Sequence, residues 1–141
     1  MTEFNIPPTN PPQQEPSADT SSRVPLVSSQ SKPILDLGEI DALRKEGPGL
    51  LKRLIGVFGE SSSKAIDIIE KSFASGDLET VMSKAHMLKG SSTNFGAARL
   101  FSACESLEYA ARERNKPEAE KHFESVKTEY RYLWLALQTC E

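Results

Sequence analysis

After residue 34, apolar residues recur every three or four positions, the spacing that gathers side chains on one face of an α-helix. Ile40 and Leu43, with Leu37 before them, mark a short amphipathic helix over 36–46 that Gly47 and Pro48 close. Leu51, Leu54, Ile55 and Phe58 mark a second over 48–59. Past the "GESSS" stretch, Ala65, Ile66, Ile69 and Phe73 resume the pattern over 61–75. "SGD" at 75–77 interrupts it, and Asp77 suits an N-cap because its carboxylate can accept from the next helix's free N–H groups. Leu78, Val81, Ala85, Leu88, Ser92 and Phe95 form the stripe of 77–95, which Gly96 can end in a left-handed conformation. Leu100, Cys104, Leu107 and Ala111 make the stripe of 97–115. Ala119, Phe123, Val126, Tyr130, Leu133 and Leu137 make that of 117–138.

No strand-like alternation of any length is present. Helical stripes joined by short Gly, Pro and Asn turns predict an all-α fold. Helices over 61–75, 77–95, 97–115 and 117–138 form an up-and-down antiparallel four-helix bundle, with one or two short extra N-terminal helices packed on it. Neither GxxxxGK[ST] nor GxGxxG occurs, so a nucleotide-binding α/β enzyme is excluded.

The first 33 residues follow a different pattern. They are dense in Pro, Ser, Thr, Gln and Asn, and six of the nine prolines lie before residue 32. Such a segment buries too little apolar surface to offset its ordering entropy. The expected division is therefore a disordered Pro/Ser-rich tail or linker over 1–33 and one folded domain over 34–141. The hydrophobic fraction of 38 % is low for a wholly globular chain and fits that division. A net charge of −3 with no basic run argues against a nucleic-acid partner. No apolar run approaches the length of a membrane span, and there is no charged leader followed by an apolar segment, so no membrane association is expected. Cys104 and Cys140 lack CxxC spacing and are too few for a disulfide scaffold. Cys104 reads as a small core residue and Cys140 as part of a frayed end, and a reducing cytoplasmic location follows.

Candidate chemistry concentrates at "AHMLKGSSTNFGA", 85–97. At 100° per residue, His86 lies roughly 130° from the apolar stripe of its helix and so faces outward. Gly90, one turn on, sacrifices about 1 kcal/mol of helix propensity relative to alanine, yet leaves space beside the ring. Lys89 can bring an ammonium near an anion held there. A nucleophilic nitrogen, an adjacent cation and steric clearance suit transient carriage of a phosphoryl group. They do not suit a metal: no carboxylate or second histidine lies three or four residues on from His86. His122 has acidic and lysine neighbours and reads as a solvated surface residue.

These residues carry a wider pattern. "AHMLKGSSTNFGAARLFSACESLE" (85–108) resembles the signature of histidine-containing phosphotransfer domains, the carriers of multistep two-component phosphorelays. "ILDLGEIDAL" and "SGDLETVMSKAH" upstream are similar to the same family, so the resemblance covers about 34–140. It implies that His86 is the phosphoacceptor, Lys89 its basic neighbour, Gly90 the clearance position and Gly96 the turn into the next helix. Glu108 matches a position where some members have Gln facing the histidine. As a carboxylate it would orient the ring or raise its basicity, while repelling a phosphoryl group.

The resemblance implies a phosphocarrier rather than an enzyme with its own ATP site. It would accept a phosphoryl group from a receiver-domain aspartate of a hybrid sensor kinase and pass it to the receiver of a response regulator. No cofactor is expected on this chain, the Mg²⁺ belonging to the partner receiver. Met82, Met87, Ile40 and Leu43 are the expected apolar docking residues, on a chain expected to be monomeric. Two alternatives remain: a non-catalytic adaptor bundle that binds receivers, or the phosphoacceptor domain of a chemotaxis-type histidine kinase. The retained histidine argues against the first, and "LKGSS" fits the relay group better than the second.

Overall fold

A computed structural model describes residues 32–140. The tail expected over 1–33 lies, apart from Lys32 and Pro33, outside the described residues. Pro33–Glu141 is one compact unit. Its described part comprises α1 (Leu37–Glu46), α2 (Leu50–Ser75), α3 (Leu78–Ser92), a 3₁₀ turn (Thr93–Phe95), α4 (Ala98–Arg112) and α5 (Lys116–Gln138). No strand occurs among the described residues. α2 packs on α3, α3 on α4 and α4 on α5, while α5 returns against α2 and closes a four-helix bundle. The short α1 lies against α2 and the 3₁₀ turn.

α1, α3 and α5 each begin where the sequence supplies a side-chain cap. Asp36 accepts from the N–H groups of Gly38 and Glu39 at 2.7 and 3.3 Å. Asp77 accepts from Thr80 N–H at 3.0 Å, and Asn115 from Glu118 N–H at 3.3 Å. These carbonyl and carboxylate oxygens satisfy donors that the first helical turn leaves free. Gly76 ends α2 at φ +77°, where its N–H and that of Asp77 bond back to the carbonyls of Phe73 and Ser72.

The apolar stripes meet in one core. All six stripe residues of α3 and its 3₁₀ extension are buried, as are Leu100, Cys104, Leu107 and Ala111 of α4. Phe58 meets Phe95 edge-on at 5.2 Å and Tyr130 at 5.9 Å, which ties α2, the 3₁₀ turn and α5 together. At the other end Phe73 packs on Phe123 at 5.5 Å.

One expectation fails at α2. The helices expected over 48–59 and 61–75 are a single helix of 26 residues, uninterrupted through "GESSS". Gly59 and Ser62 are buried there, and a Cβ on Gly59 would stand 2.5 Å from the Trp134 ring. The small residues leave room for an aromatic of α5 and do not end a helix. Their helix propensity is poor, but packing against α5 outweighs it. α1 is therefore the only short N-terminal helix among the described residues.

The C-terminal end differs too. Arg44 of α1 donates to the Cys140 carbonyl at 2.8 Å, and Cys140 packs against the core, so this end is tied down and not frayed. Between α4 and α5, Arg99 grips Glu129 through two nitrogen–oxygen contacts of 2.9 and 3.2 Å. No described helix is long and apolar enough to cross a membrane.

Candidate functional site

α3 presents its apolar stripe to α2 and α4, which turns His86 outward with 69 % of its side chain exposed. The ring is anchored on one side. Its Nδ1 lies 3.0 Å from Oε2 of Glu108, which reaches across from α4. An ionised carboxylate only accepts, so in the neutral ring Nδ1 carries the proton and donates it to Glu108. Nε2 is left with its lone pair.

Glu108 is the unusual member of this group, a carboxylate with only 8 % of its side chain exposed. Two cations hold it. Lys89 Nζ sits 2.9 Å from Oε1, and Arg112 Nη2 lies 3.0 Å from Oε2. Burial pulls the Glu108 carboxyl upward, but hydrogen bonds from Lys89 and His86, together with the Lys89 charge, outweigh it. The group therefore titrates below the ordinary carboxylate range and is ionised at neutral pH. Two cations therefore counter the charge of this one carboxylate. The repulsion that a glutamate threatens toward a phosphoryl group is thereby offset, and the carboxylate faces Nδ1 while the free lone pair is on Nε2.

The sequence-predicted residues separate into distinct places. Lys89 is mostly covered, with its ammonium 5.7 Å from the centre of the Phe101 ring and committed to Glu108. Its cation belongs to the network before any anion arrives. Gly90 is exposed, and a Cβ placed on it would meet nothing within 4 Å. No neighbour in the fold requires a glycine there. Gly96 ends the 3₁₀ turn at φ +61°, where a Cβ would collide with Asp36 at the start of α1. It therefore holds the α1 strap against the end of α3, with Asp36 N–H donating to the Phe95 carbonyl at 2.9 Å.

Among the expected docking residues, Ile40 is a correction: it is fully buried in the core and offers a partner no surface. α1 is seated by Ile40, which rolls Leu37 into solvent, 66 % exposed. Leu43, Met82 and Met87 are half-buried, each packed on the core with an edge outward.

Arg112 was not foreseen. Its only sequence signal is its place four residues after Glu108, one helical turn on. An open groove of about 730 Å³ runs beside the network, lined by Lys89, Glu108, Tyr109, Arg112, Asn115 and His122 among others. His86 itself does not line it, so the groove is the flank of the network and not a cavity around the reactive ring. His122 is half-buried there and lies 3.5 Å from Glu118. Cys104, one turn before Glu108, is wholly buried, and burial pushes its thiol up to about 12, with the Glu108 charge adding to the effect. It is an inert core residue. No cluster of three metal-ligating side chains occurs among the described residues.

Comparison with known proteins bears on the family and the fold. "Histidine-containing phosphotransfer protein 5" of Arabidopsis thaliana is 29 % identical over 119 residues, spanning 80 % of this chain and 76 % of that protein. The crystal structure of histidine-containing phosphotransfer protein B from Pseudomonas aeruginosa PAO1 superposes with a TM-score of 0.71 at 24 % identity, covering 76 % of this chain and 93 % of that one. That of the maize histidine-containing phosphotransfer protein ZmHP2 also gives 0.71, at 21 % identity, covering 82 % and 88 %. At these identities the two structures establish the shared bundle. Residues 53–137, more than half of the chain, match the Hpt domain. The chain belongs to the Hpt domain family, the histidine phosphotransfer intermediates of two-component signalling.

Proposed function

We propose that this protein is a phosphorelay carrier in which His86 accepts a phosphoryl group from the aspartyl phosphate of a receiver domain and yields it to a second receiver. One observation carries the reading. The exposed His86 ring is held through Nδ1 by a buried carboxylate, which leaves Nε2 nucleophilic and unobstructed.

The Nε2 lone pair attacks phosphorus, the N–P bond forms as the P–O bond to the aspartyl group breaks, and the aspartate leaves as a carboxylate. The ring retains its Nδ1 proton throughout and becomes positively charged, and Glu108 stabilises that charge. Onward transfer reverses these steps on a second aspartate, so the Nδ1 proton never has to move. The metal ion that such transfers use would sit on the receiver, and this chain would supply the nucleophile and its electrostatic setting. Leu37, with the exposed edges of Leu43, Met82 and Met87, supplies the apolar contact for a receiver.

The decisive experiment incubates the protein with a receiver charged by a small-molecule phosphodonor. Label that is acid-labile and alkali-stable should appear on the protein and vanish in His86→Gln. Equal labelling of that variant would overturn the assignment. Recovery of the label on a second receiver tests the onward step.

A further inference from the structure

Among the described residues the His86 ring makes one hydrogen bond, to Glu108, so its orientation is only as fixed as the carboxylate at the other end. A carboxylate on a glutamate side chain turns readily about its last torsion. Here both oxygens are occupied. Lys89 on α3 takes Oε1, while Arg112, on the same helix as Glu108 and one turn on, shares Oε2 with the histidine. Lys89 alone would pin one oxygen and allow the other to swing away from His86. The guanidinium closes that freedom, because Oε2 must stay where both Nη2 of Arg112 and Nδ1 of His86 reach it at 3.0 Å.

We propose that Arg112 is a positioning residue for phosphoryl transfer: by fixing Oε2 of Glu108 it holds the His86 ring with Nδ1–H inward and Nε2 outward. The inference rests on His86 being the phosphoacceptor, and it concerns a residue outside the histidine-bearing stretch. Arg112 acts at a distance from the reacting nitrogen. It lies on the Nδ1 side of the ring, with 53 % of its side chain exposed, and its contact with the ring runs through Glu108. Further charged groups, Glu118 and His122 of α5, line the same groove. They pair with each other, and among the described residues the Lys and Arg ion pairs of Glu108 are with Lys89 and Arg112.

The test needs a readout that a merely structural role would leave unmoved. The ¹⁵N spectrum of the imidazole in the full chain, taken at mildly alkaline pH where histidine is neutral, reports which nitrogen carries the proton. Wild type should show His86 almost wholly as the Nδ1–H form. Arg112→Gln should shift it toward a mixture, and should slow labelling of His86 by phosphoramidate about two- to tenfold, the span expected for loss of one hydrogen bond's net contribution. Arg112→Lys, which keeps a cation one turn from Glu108, should recover most of both effects. In a Glu108→Gln background, Arg112→Gln should add nothing further.

A wild-type spectrum and labelling rate in Arg112→Gln would overturn the proposal. So would an Arg112→Gln effect of undiminished size in the Glu108→Gln background. Because the guanidinium is half-exposed, helix content and melting temperature should stay near wild type, so that loss of fold cannot mimic the result. Failure of the parent reading shows separately, as receiver-dependent label that survives in His86→Gln. The ring spectrum requires no phosphoryl transfer at all.

Discussion

Gly90 lies on an exposed turn of α3 with open space where its Cβ would be, so the fold itself gives no reason for a glycine. On the proposed function the demand comes from outside, from a phosphoryl group on His86 or an approaching receiver. Gly90→Gln should raise the stability of the protein by about 0.5–1 kcal/mol through helix propensity, measured by denaturant unfolding. Receiver-dependent labelling of the same variant should slow, and an unchanged rate would remove steric clearance as the reason for the glycine. Glu108 makes the complementary case. Its carboxyl titrates below the ordinary range in the fold, so its ionised form contributes stability at neutral pH. That contribution is lost as pH falls through the ordinary carboxylate range, about 4.3, and on through the lower folded value. The stability difference between wild type and Glu108→Gln should therefore change on acidification, with wild type losing its charge-dependent share. Thermal unfolding at pH 7 and pH 3 measures this, and a difference independent of pH would contradict the network's role.

The elements show why similar residues in one helix serve different ends. α2 contains two interior glycines. Gly56 is exposed with nothing within 4 Å of its missing Cβ, whereas Gly59 lies under the Trp134 ring. Gly56→Ala should stabilise the protein by up to about 1 kcal/mol. Gly59→Ala should destabilise it by about 1–3 kcal/mol, because the rigid indole must shift, and tryptophan fluorescence should shift with it. Two substitutions of the same sign would mean that α2 does not pack on α5 as described. The sequence shows both glycines as helix weaknesses. Their meaning depends on what lies opposite, and the facing helix begins more than fifty residues later.

For the whole molecule, α1 is the element that joins the core to the proposed docking face. Ile40 anchors it in the core, and the Asp36–Phe95 backbone bond ties its start to the end of α3. Ile40→Ala should therefore lower stability by about 2–5 kcal/mol, the range for emptying a buried aliphatic site. Leu37→Ala should leave stability within about 0.5 kcal/mol, since Leu37 is mostly exposed, and should weaken receiver binding as measured by calorimetry. Unchanged affinity would place the receiver on another face. Leu37 and Ile40 both fit the apolar spacing, so their different fates could not be read from the periodicity. A ten-residue helix makes too few turns for the stripe alone to define its inward face.

The sequence by itself determined the all-helical bundle, the core stripes of α3, α4 and α5 and the outward direction of His86. Those properties follow from 3.6-residue periodicity, which is local. The resemblance of 85–108 to phosphotransfer signatures pointed to the same histidine. Only the tertiary structure decided that α2 is continuous, that Ile40 is core and Leu37 surface, and that Glu108 is buried, with one cation from its own helix and one from the preceding helix. Each of these depends on which residue of another helix lies opposite. That pairing is settled when the bundle closes and not along the chain.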